Sequence, residues 1–177
     1  KEIDLSNVDD SGQGLPVVNP NTILYAKEKS NFAVTQEVQM NKNVVEGDIC
    51  KKFYLTDGAP LSISKPFTAR TAKYTRSIPA KGWYSLCLPF NAVTQEGINV
   101  ERYVSLDESA ETITFEKGSI EADHPCIFNA GKAMEVEFTA TDVAIAATSN
   151  VLSEGPFIGT YQENEAGNIT GCYALRS

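Results

Sequence analysis

Apolar and polar residues alternate along most of this chain with the period of an extended strand. Met134, Val136 and Phe138 alternate with Glu135 and Glu137, and Ile113 and Phe115 repeat the pattern. Each apolar set is expected to face a core while its neighbours face water. The stretch GWYSLCLPF, Gly82 to Phe90, differs. As a strand it places Tyr84, Leu86, Leu88 and Phe90 on one face and Trp83, Ser85 and Cys87 on the other. Apolar residues on both faces predict a strand in the middle of a sheet with a layer over each side, and Pro89 closes the run. No window of about 11–18 residues carries the stripe of an amphipathic helix.

Strand-type runs separated by turn residues are expected at 22–26, 44–45, 49–56, 67–78, 84–90, 100–106, 112–116, 126–128, 134–139, 143–147, 157–161 and 169–175, with a short one at 2–5. Such spacing predicts an all-β fold: an antiparallel β-sandwich, jelly-roll or immunoglobulin-like, over residues 43–177. Residues 1–42 read as an N-terminal tail and linker with a turn at Asn19-Pro20-Asn21. Within the tail, Ile3-Asp4-Leu5-Ser6-Asn7 looks like the strand-and-asparagine part of one leucine-rich repeat. A single copy cannot bury its own face, so it is expected to end an array that continues upstream. The segment 163–168, with Gly167 free to take a positive φ, reads as a hairpin connection.

Composition narrows the partners. A chain of 177 residues buries roughly 70% of its unfolded surface, enough for a core without metal or disulfide staples. Fifteen Lys and Arg against 23 Asp and Glu give a net charge of -8. That balance disfavours nucleic acid and anionic membranes, both of which need clustered cations. No apolar run approaches the roughly 18 residues of a membrane span, so no membrane insertion of this segment is expected. The four cysteines, Cys50, Cys87, Cys126 and Cys172, show no CxxC spacing and allow three complete pairings. Cys87 reads as a free buried thiol; Cys126 with Cys172 is the favoured bridge if one forms.

Several blocks in order resemble a known family: IDLSN (Ile3 to Asn7), NPNTILYA (Asn19 to Ala26), NVVEGDICKKFYLTDGAPL (Asn43 to Leu61), KPFTARTAKYTR (Lys65 to Arg76), GWYSLCLPF, ITFEKGSIEADHPCIF (Ile113 to Phe128), MEVEF (Met134 to Phe138) and PFIGTY (Pro156 to Tyr161). The chain is similar to the C-terminal β-rich regions of secreted or cell-surface proteins of Bacteroidetes, often found behind leucine-rich repeats. The resemblance rests on the order of the blocks. It implies export, with a signal peptide upstream or removed, a secreted or surface location associated with the outer membrane, and a non-catalytic module for adhesion, structure or display. It brings no catalytic residues and no cofactor. Cys126 departs from the family pattern, where an aromatic follows the proline, and this favours a disulfide here.

The candidate sites each have a plainer structural reading. His124, the sole histidine, lies two residues before Cys126. A Cys-His dyad is conceivable there, but a surface turn outweighs it. The cluster Asp4, Asn7, Asp9 and Asp10 lacks the alternation of a calcium loop, and no set of residues has zinc-ligand spacing. The many carboxylates, among them Glu96, Glu101, Asp107, Glu108, Glu111, Glu116, Glu121 and Asp123, single out no facing pair of the glycosidase kind. No catalytic or metal site is assigned. The distinctive feature is a stretch without acids between Gly58 and Gln95 that carries Lys65, Arg70, Lys73, Arg76 and Lys81. In a regular strand Tyr74 shares a face with Arg70 and Arg76, so these three are the candidate ligand-binding residues, for an anionic glycan or a host or cell-surface protein. Against this, the cations are expected to pair across the sheet with Glu135, Glu137 or Glu116, or to guard an edge strand. Carbohydrate binding, the alternative function, needs exposed aromatics such as Tyr25, Tyr54, Tyr103, Tyr161 or Tyr173, whose strand positions read as half-buried. Asn168-Ile169-Thr170 fits a glycosylation sequon.

Overall fold

The computed structural model describes residues 19–27, 42–148 and 152–161, and among them the chain is strand, turn and loop without a helix. The strands are β1 (Leu24–Ala26), β2 (Val44–Glu46), β3 (Ile49–Thr56), β4 (Phe67–Ile78), β5 (Gly82–Leu86), β6 (Val93–Thr94), β7 (Ile98–Asp107), β8 (Thr112–Lys117), β9 (Cys126–Ala130), β10 (Met134–Ile145), β11 (Leu152–Glu154) and β12 (Phe157–Gly159). One sheet has the order β1-β2-β3-β4-β10-β6, a second the order β5-β9-β7-β8, and β11 and β12 form a hairpin. The two sheets make the expected β-sandwich. The leucine-rich-repeat-like segment, the cluster at 4–10, the runs at 2–5 and 169–175, the connection at 163–168, Cys172, Tyr173 and the sequon lie outside the described residues.

The smaller sheet is antiparallel, but the larger is mixed, which corrects the expectation of a purely antiparallel fold. β1 runs parallel to β2, and β3 parallel to β4. A parallel pair needs a connection that returns the chain to its starting end. The connection from Asp57 to Pro66 does so, and it contributes Leu61 and Ile63 to the core at 3% and 2% exposure. Of the tail and linker, residues 19–27 are stitched into the larger sheet. The Asn21 side chain bonds Thr56 N and O and Ala59 O, and Asn43, with φ 59°, bonds Tyr54 N and O through its side chain.

The layers meet in an aromatic core. Phe53, Phe90, Phe128 and Phe138 are fully buried. Phe128 of β9 meets Phe138 of β10 edge-on at 5.2 Å, and Phe138 stacks on Tyr74 at 6.1 Å. Val136 and Phe138 point inward as the alternation requires, with Met134 packed at the margin.

Along the larger sheet the inward face changes phase in one row. Cys50 and Phe53 are buried on either side of two exposed lysines; Ala69 and Ala72 flank Arg70 and Thr71 in the same way. The ladder omits Arg70 toward both β3 and β10, where Asp142 has φ 47°. The register is the same on both sides of this row, so no residue is inserted; the strands turn together by one position at Arg70. This joins the runs expected at 134–139 and 143–147 into one strand.

GWYSLCLPF requires the main correction. Tyr84, Leu86, Leu88 and Phe90 are buried as expected, but β5 stops at Leu86 and lies at the edge of its sheet. On its other face Trp83 is 39% exposed and Ser85 is open. Ile113, expected to face a core, is 51% exposed. β7 and β8 continue past the last residue of β7 paired with β9, Glu101; the β11–β12 hairpin reaches Tyr103 and Phe115 there, but Leu106 and Ile113 beyond them are left exposed.

Candidate functional site

The basic strip lies along β4, and the phase change separates its members. Arg70 points outward, while Tyr74, beyond the phase change, points into the core at 9% exposure. They do not share a face, because the strand is not regular between them. Each of the three cations within β4 has a partner. Arg70 Nη1 lies 2.7 Å from Asp142 Oδ1, and Lys73 Nζ lies 3.1 Å from Glu137 Oε2 and 5.1 Å from the Tyr54 ring centre. Arg76 Nε lies 3.4 Å from Asp57 Oδ2; its guanidinium sits 5.3 Å from the Tyr84 ring centre and donates to Ser85 O at 3.0 Å. Of the acids expected to pair with the strip, only Glu137 does so; Asp142 and Asp57 take the other cations.

Tyr74 ends at one wall of a cleft of about 300 Å³, lined also by Asp57, Cys87, Pro89 and Tyr161. Its hydroxyl donates to Asp57 Oδ1. Burial, reinforced by that bond and by the Asp57 charge, pushes the phenol well above its ordinary range. Across the cleft the Tyr161 hydroxyl donates to Asp123 Oδ1 at 2.8 Å and accepts from Cys87 Sγ at 3.8 Å. Burial also raises this phenol strongly. The Cys87 thiol is pushed up to about 11, first by burial, with the charges of Asp123 and Glu154 adding to it against the bond to Tyr161. Burial takes the Cys126 thiol up to about 12.

These directions define the cleft chemically. A nucleophilic cysteine needs a lowered pKa, and both thiols move the other way. Cys50, Cys87 and Cys126 are free thiols. His124 is exposed in the turn before β9, and its Nδ1 lies 2.6 Å from Glu154 Oε1. Cys126, two residues on, is 1% exposed in the core. Glu154 also takes Arg102, which bonds Glu121 through its other terminal nitrogen. Burial raises the Glu154 carboxyl, but the bonds from His124 and Arg102 outweigh it, and the net shift is downward. This network ties β11 to β7 and to the turn before β9. No sequence pattern marks it, since its members are far apart in the chain. Among the described residues no three His, Cys, Asp or Glu side chains converge on a possible metal position, and no helix is long and apolar enough to cross a membrane.

Comparison with protein-family models, with curated proteins and with solved structures gives no match for this chain.

Proposed function

We propose that this domain is a non-catalytic module of an exported surface protein, serving in adhesion or display, as the resemblance to Bacteroidetes C-terminal regions implies. The observation that carries the reading is the pairing of the β4 cations: Arg70, Lys73 and Arg76 are each held by a carboxylate of the same domain. A binding strip keeps its cations available to the ligand, whereas these serve the fold. The raised thiols of Cys87 and Cys126 support the absence of nucleophilic chemistry. The carbohydrate-binding alternative is weakened by Tyr74, which is buried where a sugar platform must be open.

The test is attachment. Beads coated with the domain are compared with bare beads on mucin and on matrix-protein surfaces, with His124→Ala and Cys87→Ser as variants. Retention of coated beads, unchanged by either variant, is the expected result. Coated beads held no better than bare ones on any surface would sink the adhesive role. Turnover of a glycan or peptide abolished by either substitution would replace it with catalysis.

A further inference from the structure

Among the described residues, one sheet edge stands apart. β1 has three residues and β6 two, and β5, with five, runs between Pro79 and Pro89. Short strands and flanking prolines are the usual protection of an edge. β8 spans Thr112–Lys117 without a proline, and it hydrogen-bonds to β7 alone. Its residues are exposed except Phe115, which is half-buried. A strand with such an open row of backbone groups pairs readily with another.

The side chains indicate which one. On one face of the β7–β8 hairpin, Tyr103 lies opposite Phe115, and Leu106 opposite Ile113. The aromatic pair is covered by the β11–β12 hairpin, with Phe157 5.8 Å from Phe115 and Gly155 against the Tyr103 ring. The aliphatic pair is not: Ile113 is 51% and Leu106 38% exposed. We propose that a second copy of this chain pairs antiparallel with β8 about a two-fold axis, joining two four-stranded sheets into one.

An axis normal to the sheet keeps the apolar faces of both copies on the same side, so odd residues meet odd and even meet even. With the axis at Thr114, Ile113 lies opposite Phe115 of the second copy, and Thr114 opposite its own counterpart. Each row then runs Leu106, Ile113, Phe115 of the second copy, Tyr103 of the second copy. The exposed aliphatic pair of one molecule thereby continues into the aromatic pair of the other. Just beyond, the turn residue Glu111, at φ 52°, comes level with Lys117 of the second copy, and symmetry repeats the approach. Neither has an ion-pair partner among the described residues. Opposite charges at facing positions favour this register, and like charges oppose it.

Sedimentation velocity over a wide concentration range tests the proposal. The expected result is a reversible monomer–dimer equilibrium, the heavier species having twice the 19.2 kDa of the chain. Thr114→Lys places two like charges on the axis at an exposed position and is expected to weaken the dimer by about tenfold or more. Unchanged far-ultraviolet dichroism would show that this variant still folds. Lys117→Glu weakens it as well, and adding Glu111→Lys restores it. A wild-type chain that stays monomeric throughout, a dimer indifferent to Thr114→Lys, or a charge swap that fails to restore association would each overturn the proposal.

Discussion

Phe138 and Trp83 are both large aromatics in strands, yet only one is held by the core. Phe138 is fully buried between the layers, so Phe138→Ala is expected to lower the unfolding free energy by about 3–5 kcal/mol in denaturant titration. Trp83→Ala, at an exposed edge position, is expected to lower it by less than about 1 kcal/mol. The alternation in GWYSLCLPF identified the buried face correctly, but periodicity does not report whether a second layer covers the other. Asn43 shows the opposite difficulty. Nothing in its sequence context sets it apart, yet it is fully buried and bonds both backbone groups of Tyr54. Asn43→Ala leaves those groups unpaired, at about 1–3 kcal/mol for each, measured in the same titration. Glu154 sets a pH dependence. Its carboxyl lies below the ordinary range when folded, so the stability it contributes is present above the unfolded carboxylate value and is lost as pH falls through the lowered one. Glu154→Gln should therefore flatten the acid side of a plot of unfolding midpoint against pH; an unchanged slope would remove the Arg102–Glu154–His124 network from the account.

The limits of β3 and β4 coincide with the runs expected at 49–56 and 67–78, because long alternating segments carry their own period. β6 and β11 have two and three residues and were not foreseen, since tertiary contacts alone define strands so short. In the β11–β12 hairpin the run expected at 157–161 anticipates β12, and only β11 is of this second kind. The hairpin docks through glycines: a Cβ on Gly159 would come within 2.8 Å of Cys87 Sγ, and one on Gly155, with φ 57°, within 2.6 Å of the Tyr103 ring. Gly155→Ala combines left-handed backbone strain with a clash and is expected to lift the hairpin from the sheet. The measurement is the reaction rate of Cys87 with a disulfide reagent at neutral pH, with Cys50, Cys126 and Cys172 replaced by Ser or Ala. The half-buried thiol should react several-fold faster in the glycine variant; an equal rate would mean that the hairpin does not cover it.

For the whole molecule, the all-β class was legible in the chain, while the mixed sheet was not. Strand direction depends on how the connection from Asp57 to Pro66 crosses the end of the sandwich, and no local pattern encodes that path. The candidate site was legible to the same degree. The absence of acids from Gly58 to Gln95 marked β4 as basic, but the compensating Asp142 and Asp57 come from outside that stretch. The exposed Arg70–Asp142 pair is worth about 0–1 kcal/mol at most, whereas Arg76, held by Asp57, Ser85 and Tyr84, contributes more. The role of this face therefore turns on whether these cations serve the fold or a ligand. Calorimetric titration of a sulfated or uronic-acid oligosaccharide into the wild-type domain and a folded Arg70→Ser/Arg76→Ser variant decides it most directly. The expected result is no saturable heat with either protein and a lower unfolding midpoint for the variant. Saturable binding by the wild type that the variant loses would contradict the account and make the strip a ligand site.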